Sequence, residues 1–216
     1  MDKVTIVRSA RRRTLGIQVM PDLSIKVSVP PFYPKFMINK FLKDKEDWIR
    51  QAQQRLQTTN LRQNDNEYFY LGKKYQLELR LKQKNIVELG DKLYVASSNE
   101  KYVKTYLESW YKQQARKIIL ERLHHYARVG GHTYKSVALT SATTRWGSCS
   151  AQKTLNFNWK LVMAPLEVMD YVICHELAHL VELNHSHDFW ETIRKMYPLY
   201  RQYRTWLRRH GHTLTI

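Results

Sequence analysis

The chain has 216 residues, of which 43% are hydrophobic, a formal net charge of +17 and two cysteines, Cys149 and Cys174. This is enough apolar sequence for the core of one large domain or two small ones, whereas two cysteines are too few for a disulfide framework. No apolar run approaches the roughly 20 residues of a membrane-spanning helix and the start of the chain has no signal-peptide apolar core, so we expect a cytoplasmic protein that makes no membrane contact and keeps both thiols reduced and packed.

The N-terminal part of the chain is rich in predicted strands. Apolar and polar residues alternate over 4–29, which predicts two or three antiparallel strands. Apolar residues recur at helical spacing over 36–56, which predicts an amphipathic helix. Alternation with a period of two returns over 67–96 and predicts the strands of a meander. We therefore expect an antiparallel, strand-rich lobe with helical structure over residues 1–97.

The C-terminal part begins with a long predicted helix. Residues 99–129 have apolar residues at helical spacing and are followed by the helix-stopping pair at 130–131. Two short strands are then predicted at 136–140 and 154–162, joined by a turn that contains the stretch "TRWGSCS". These elements and the following helices form residues 98–216, which we expect to be a second unit packed closely on the first. The chain is therefore predicted to be an α+β protein.

The next predicted helix carries ionisable residues inside an apolar sequence. Pro165 suits its first turn, and most of the following residues up to 181 are leucine, valine, isoleucine, methionine or alanine, so the helix is expected to be covered on nearly all sides. Burying an unpaired ionised group costs several kcal/mol. His175, Glu176 and His179 therefore need partners in the folded protein.

A shared metal ion would supply such a partner. His175 and His179 are four residues apart, which places both rings on one helix face about 6 Å apart along the axis, close enough for both to bind one zinc ion. Glu176 lies next to that face, where its carboxylate can take a proton from a metal-bound water. The pattern His-Glu-x-x-His therefore predicts a metal site that activates water.

A catalytic zinc needs a third protein ligand and one open position. His185 is the natural candidate, because Asn184 can end the helix in the left-handed conformation and let the chain fold back towards the metal. His187 and Glu182 are the alternatives. His187 is closer to the start of the next helix, and Glu182 lies in line with the first two ligands, an arrangement that encloses a metal poorly.

Two stretches carry a family resemblance most specifically, "RWGSC" at 145–149 and "HELAHLVELNHSHDFW" at 175–190. The sequence around them closely resembles the predicted metal-dependent hydrolases of the YgjP-like, or DUF45, family, which are related to the zincin, SprT-like and WLM metallopeptidases. The resemblance reaches back to "RSARRRTLGIQV" at 8–19. It implies a zincin-like fold in the C-terminal half and one zinc ion per chain. It also implies the site residues, which are the zinc ligands His175, His179 and His185 and the catalytic Glu176.

Three further residues are candidates for substrate binding or transition-state stabilisation, namely Arg145, Trp146 and Asn158. The guanidinium of Arg145 could contact a carboxylate, a phosphate or an oxyanion, and the alternative is that Arg145 pairs locally while Trp146 packs. In zincins, an edge strand beside the active-site helix often pairs with an extended peptide. Residues 154–162 are positioned in the sequence to be that strand, or else a plain core strand.

The positive charge leaves several partners open. A positive potential favours anions such as nucleic acid and nucleotides, but the basic residues are spread along the chain, which is not typical of a dedicated nucleic-acid module. A soluble surface rich in lysine and arginine explains the charge equally well. The basic ending "RQYRTWLRRHGHTL" is predicted to be a final amphipathic helix with a solvated face.

The sequence thus predicts a zinc-dependent hydrolase with a metal-activated water and a glutamate general base, and the zincin resemblance suggests a peptide or protein substrate. A metal-dependent hydrolase of nucleotides or other phosphoanhydrides is the first alternative, because the same site can attack phosphorus and the charge suits such substrates. A nucleic-acid-associated protein with a structural metal is the second. It would need a fourth protein ligand, for which His187 and Glu182 are the candidates.

Overall fold

The structure is a computed structural model that describes residues 4–10, 12–20, 22–63, 66–81 and 85–216. It divides into two compact units, Met1–Asp65 and Asn66–Ile216. Over the described residues, the first unit has one three-stranded sheet and two α-helices, and the second has two small sheets and four α-helices, so the predicted α+β class is confirmed. None of the described helices is long and apolar enough to cross a membrane.

The first unit contains a mixed sheet. Its elements are β1 (Val4–Arg8), β2 (Gly16–Val19), β3 (Ile25–Val29), α1 (Lys35–Asp44) and α2 (Glu46–Gln63). The strand order is β1-β3-β2, and the central β3 is antiparallel to β2 but parallel to β1. The prediction of antiparallel strands is therefore right for β2 and wrong for β1, because alternation marks the buried face of a strand and not its direction.

The core of the first unit forms between β3 and the two helices. The single helix predicted over 36–56 is two helices, which are separated at Lys45. Alternate residues of β3 point to one face and are buried together with one isoleucine from each helix, namely Ile25, Val27, Val29, Ile38 and Ile49.

The second unit begins with a four-stranded sheet. Its strands are β4 (Glu67–Tyr70), β5 (Lys73–Leu79), β6 (Val87–Leu89) and β7 (Leu93–Val95). The order is β4-β5-β7-β6, with β5 parallel to β7 and the other pairs antiparallel. At the hairpin between β4 and β5, the backbone N–H of Gly72 donates to the carbonyl of Met163 over 3.1 Å, so this hairpin is joined to the segment that leads into the histidine-bearing helix.

This unit starts at Asn66, whereas the sequence placed the domain boundary after residue 97. Leu93 and Val95 of β7 are fully buried in the same core as Leu107 of the long helix α3 (Glu100–Gly130). The strands of residues 67–95 therefore fold with the helices that follow them, a contact that local alternation does not reveal. The predicted ends of α3 match, with Asn99 as the N-cap and Gly131 in the left-handed conformation after the last turn.

A three-stranded sheet follows α3. It consists of β8 (Ser136–Thr140), β9 (Gly147–Cys149) and β10 (Thr154–Asn158), in the order β8-β10-β9. Residues 154–162 are therefore not an edge strand, because β10 is central and the chain continues after it as a 3₁₀ helix over Trp159–Met163. The edge strand nearest the histidine-bearing helix is β9, which the sequence assigned to a turn.

The histidine-bearing helix lies inside the second unit. It is α4 (Leu166–Ala178), and it is followed by α5 (His187–Met196) and α6 (Tyr200–His210). The expectation that this helix is covered on nearly all sides is confirmed, since 10 of its 13 residues are buried. Cys174 is buried on α4 and Cys149 is half-buried on β9, and both are free thiols.

A buried ion pair joins α4 to α3. Asp170 is 3% exposed, and its two carboxylate oxygens accept hydrogen bonds from the guanidinium of Arg122 over 2.6 and 2.7 Å. The hydroxyl of Tyr126 donates to the same carboxylate over 3.2 Å. These three hydrogen bonds satisfy the buried charge and fix the position of α4 along α3.

Candidate metal centre and active site

Three histidines come together at the end of α4. The nitrogens that His175, His179 and His185 can offer to a metal all lie within 4.8 Å of one another. The centroids of the three rings are 4.8 to 5.0 Å apart, and the Nε2 atoms of His175 and His185 are separated by 3.2 Å. The structure thus brings together the three residues that the sequence singled out as ligands.

The end of α4 explains how His185 reaches the other two rings. The last helical residue is Ala178, so His179 caps the helix and the chain turns over 180–184. The predicted left-handed conformation at Asn184 is wrong, because its φ is not positive. The helix ends three residues earlier than the apolar pattern suggested, and the turn itself reverses the chain.

This turn also orients the ring of His179. Its Nδ1 is 3.0 Å from the backbone carbonyl oxygen of Glu182. A carbonyl oxygen only accepts hydrogen bonds, so Nδ1 carries the proton and the lone pair of Nε2 is available to a metal. Such a second hydrogen bond is what usually fixes the orientation of a histidine ligand.

Aromatic side chains of α5 form one wall of the histidine cluster. The Phe189 ring lies 4.5 to 4.9 Å from all three imidazole rings, and the Trp190 ring lies 5.8 Å from His185. Burial, together with the neighbouring imidazoles of His179 and His185, lowers the pKa of His175 to about 3. His175 is therefore neutral at physiological pH, which is the form that binds metals.

Three imidazole nitrogens are a donor set that suits a zinc ion. Two nitrogen ligands at the usual zinc–nitrogen distance are about 3.4 Å apart, which is close to the 3.2 Å between the Nε2 atoms of His175 and His185. Within the described residues, no other group of three or more histidine, cysteine, aspartate or glutamate side chains brings its ligand atoms together in this way. Glu182 and His187, the alternative ligands, lie outside the cluster, and His187 is exposed beside Asp188.

Glu176 follows His175 directly on α4, and it is one of two carboxylates that are buried among the residues that the structure describes, the other being Asp170. Glu176 is only 5% exposed, and burial raises its pKa to about 8, although the positive charge of Arg145 opposes the rise. The backbone of Gly147 lies against its side chain and would leave no room there for a Cβ atom. A carboxylate with a pKa near neutrality is suited to accepting and returning a proton.

The three other candidates line a cavity of about 390 Å³. Arg145 is exposed, and the half-buried Trp146 packs on Gly211. Asn158 is buried, and its amide group donates to the carbonyl of Ala142 over 2.7 Å while its side-chain oxygen accepts from the N–H of Lys160 over 3.0 Å. In this structure Asn158 therefore holds the loop that carries Arg145, and a direct role in substrate binding stays a prediction.

Two features of the site were missed in the sequence. Nothing in "RWGSC" shows that its glycine lies against Glu176, since the contact joins distant parts of the chain. The second feature is a cavity of about 620 Å³ beside Trp190, lined by Arg201, Arg204 and Arg208 of α6. These arginines are spaced by three and four residues, which places them on one helix face. This spacing could have indicated the arginine face of α6 from the sequence.

The match to a family model agrees with a metal-dependent activity. A family model described as "YgjP-like, metallopeptidase domain" matches residues 13–210. No curated protein matches the chain significantly. Among solved structures, the chain is similar to the metallopeptidase zymogen of Pyrococcus abyssi abylysin, with 21% sequence identity over 43% of this chain and 95% of that chain and a TM-score of 0.40.

Proposed function

The chain belongs to the YgjP-like metallopeptidase domain family, and from that premise we propose that it is a zincin-type, zinc-dependent peptidase. In this proposal His175, His179 and His185 hold one zinc ion and Glu176 is the general base. The observation that carries the proposal is the convergence of three imidazole rings at the end of α4, the helix that also carries the buried carboxylate of Glu176. Three protein ligands leave a fourth position for water, as catalytic zinc sites require.

Each residue of the site has a separate task. A bound zinc ion supplies Lewis acidity, which lowers the pKa of water and polarises a carbonyl group. His179 keeps its Nε2 available because Nδ1 donates to the carbonyl of Glu182. Glu176 takes a proton from the attacking water and returns it to the leaving amine, so that no free hydroxide or free amide anion forms.

The surroundings of Glu176 suit this proton transfer. Its low exposure makes the neutral form of the carboxyl group accessible near neutral pH, and Arg145 favours the ionised form that accepts the proton. Arg145 is also close enough to Glu176 for its charge to act on that carboxyl group, and in this proposal its guanidinium stabilises the negative charge that develops on the carbonyl oxygen of a peptide. Trp146 positions Arg145 by anchoring the loop on Gly211.

We place the peptide substrate along β9. This strand is at the edge of its sheet and contacts α4 next to Glu176. An extended peptide can add to a sheet edge through backbone hydrogen bonds, which would bring its carbonyl groups past the histidine cluster. In this arrangement β9, and not β10 as the sequence suggested, takes the role of the substrate-binding strand.

The proposal is tested by hydrolysis of unstructured proteins and fluorogenic peptides by metal-quantified protein. We expect wild-type protein with one zinc ion per chain to cleave them, and Glu176→Gln to retain zinc and lose activity by about 10²- to 10⁴-fold, because general base catalysis contributes that much. Glu182→Gln is the matched control, since the contact of Glu182 with His179 is made by its backbone carbonyl. Undiminished cleavage by Glu176→Gln would remove Glu176 from the mechanism.

Nucleoside triphosphates belong in the same panel. Hydrolysis of these compounds alone, with the same dependence on zinc and Glu176, would keep the metal-dependent hydrolase and replace its peptide substrate by a phosphoanhydride. One tightly bound zinc ion without hydrolysis of either class would favour a structural metal.

A further inference from the structure

The cavity beside the histidine cluster has an unusual concentration of positive charge. It measures about 620 Å³ and lies between α5 and α6. Three arginines of α6 line it, Arg201, Arg204 and Arg208, and all three are exposed. Their spacing places them on one face of the helix, so three guanidinium groups point towards the same space.

Nearby carboxylates neutralise only a small part of this positive charge. In the described part of the chain, none of the three arginines forms an ion pair, and the one carboxylate that lines the cavity belongs to Glu191. Glu191 is already bound by Arg194 through hydrogen bonds of 2.6 and 3.0 Å. The cavity therefore keeps a net positive charge that an incoming anion can neutralise.

Trp190 forms the wall between this cavity and the histidine cluster. Its ring centroid is 5.8 Å from that of His185 and 4.5 Å from the guanidinium carbon of Arg204. Tyr200 stacks on the same indole ring, with centroids 5.5 Å apart and planes 15° apart. Trp190 is thus held in place. If a peptide side chain bound in the cavity, its residue would be within a few positions of the peptide bond that lies at the histidine cluster.

We propose that this cavity is a subsite for an acidic side chain of the peptide substrate, near the bond that is cleaved. This proposal rests on the proposed peptidase function and adds a substrate preference to it. Guanidinium groups bind carboxylates through paired N–H···O hydrogen bonds, which makes arginine more selective for this partner than lysine. The aromatic rings of Trp190 and Tyr200 can pack on the methylene groups of a glutamate side chain.

Arg208 extends the positive surface to a second cavity. It lines both this cavity and the cavity of about 390 Å³ that contains Arg145 and Lys160. A peptide that extends from one cavity into the other would therefore meet basic side chains in both. Lysine or arginine side chains in the same peptide positions would be repelled.

The first experiment compares matched fluorogenic peptides that differ in one residue, glutamate, glutamine or lysine, placed at successive positions on each side of the cleaved bond. For the zinc-loaded wild-type protein we expect kcat/KM to be about tenfold higher with glutamate than with glutamine at one position, and lower still with lysine. Arg201→Gln and Arg204→Gln should each reduce the ratio of glutamate to glutamine rates, and added salt should reduce it as well.

Arg209→Gln is the matched control. It removes the same charge from the same helix, and Arg209 is exposed but does not line the cavity. The ratio should be unchanged in this variant. A ratio near one in the wild-type protein, or an equal loss in Arg209→Gln, would overturn the subsite and leave only a general effect of charge.

A binding measurement separates this inference from the proposed function. Zinc-loaded Glu176→Gln is titrated calorimetrically with the same peptides, with and without Arg201→Gln. Tighter binding of the glutamate peptide that depends on Arg201, without cleavage by the wild type, would retain the subsite and refute the peptidase. Cleavage and binding with no preference for glutamate would retain the peptidase and refute the subsite, and neither cleavage nor preferential binding would refute both.

Discussion

The backbone of Gly147 lies directly against the side chain of Glu176. A Cβ atom at Gly147 would come within 2.7 Å of the carboxyl carbon of Glu176, a distance that real Cβ atoms do not adopt. Gly147 belongs to the edge strand β9 and Glu176 to α4, so this contact joins the two elements on which substrate and base are proposed to lie. The Glu176 carboxylate can occupy its observed position because residue 147 has no side chain.

Replacement of Gly147 by alanine should therefore displace the carboxylate. We expect Gly147→Ala to lower kcat by about 10²-fold, since a misplacement of about 1 Å can have that effect, while the zinc content stays at the wild-type level. The measurement is peptide hydrolysis beside metal analysis. Ser148→Ala, the next residue of β9, is the control, and equal activity of Gly147→Ala and wild type would show that the contact does not position the base.

Burial of Glu176 should make the stability of the metal-free protein fall as the pH rises from about 4.5 to about 8. Its pKa is about 8 in the folded chain, against the ordinary carboxyl value of 4.5, so between these values the folded state binds more protons than the unfolded state. Stability therefore falls as pH rises through this window. In chelator-treated protein, Glu176→Gln should be more stable than wild type by a few kcal/mol at pH 8 and by little at pH 5.

Urea unfolding at both pH values measures this difference. A stability gain of the same size at pH 5 and pH 8 would contradict the expectation, because the gain would then not come from ionisation of Glu176. The same variant is predicted to lose activity, so a residue needed for function would be one that weakens the fold.

Loss of His185 should weaken zinc binding. We expect His185→Ala to lower zinc affinity by at least about 100-fold, because two imidazole ligands remain of three. His187→Ala is the control, since His187 is only two residues away and its side chain is 86% exposed. Affinity is measured by competition with a chromogenic chelator. If both variants bound zinc as the wild type does, His185 would not be a ligand.

Zinc should also raise the melting temperature of the wild-type protein. A ligand that binds only the folded state stabilises it by an amount that grows with its free concentration. Chelation should therefore lower the melting temperature in wild type and His187→Ala, and should have a much smaller effect in His185→Ala. Thermal unfolding with and without chelator gives this comparison.

The ion pair between Arg122 and Asp170 should contribute strongly to stability. Asp170→Ala leaves the guanidinium partly buried without its partner, and we expect a loss of about 3 kcal/mol or more. Glu108→Ala is the control, because it breaks an exposed pair with Lys112 on the same helix α3 and should cost below about 1 kcal/mol. Losses of equal size in urea unfolding would show that burial of the Asp170 pair does not matter.

The convergence of the histidines could be predicted from the sequence because it depends on local geometry. The interval between His175 and His179 fixes both rings on one helix face, and His185 follows after one short turn. The predicted conformation of that turn was wrong. The sequence-based prediction placed the reversal of the chain at Asn184, whereas α4 ends at Ala178 and the chain reverses earlier.

Features that depend on pairing between distant segments could not be predicted in this way. Alternation does not show that β1 is parallel to β3, that β10 is central, or that the strands of residues 67–95 share a core with α3. The same limit applies to Gly147, whose neighbour Glu176 lies on another element. The arginine face of α6 was visible as a helical spacing, but its position beside Trp190 was not.

The short span of residues 175–185 has a consequence for the order of folding. All three histidines come from one helix end and the turn after it, so closing the loop between them costs little chain entropy. The surroundings of Glu176 are different, since Gly147 reaches it only when β9 has docked on α4. The metal ligands can therefore assemble as a local event, whereas the environment that raises the pKa of the base forms only with the completed tertiary structure.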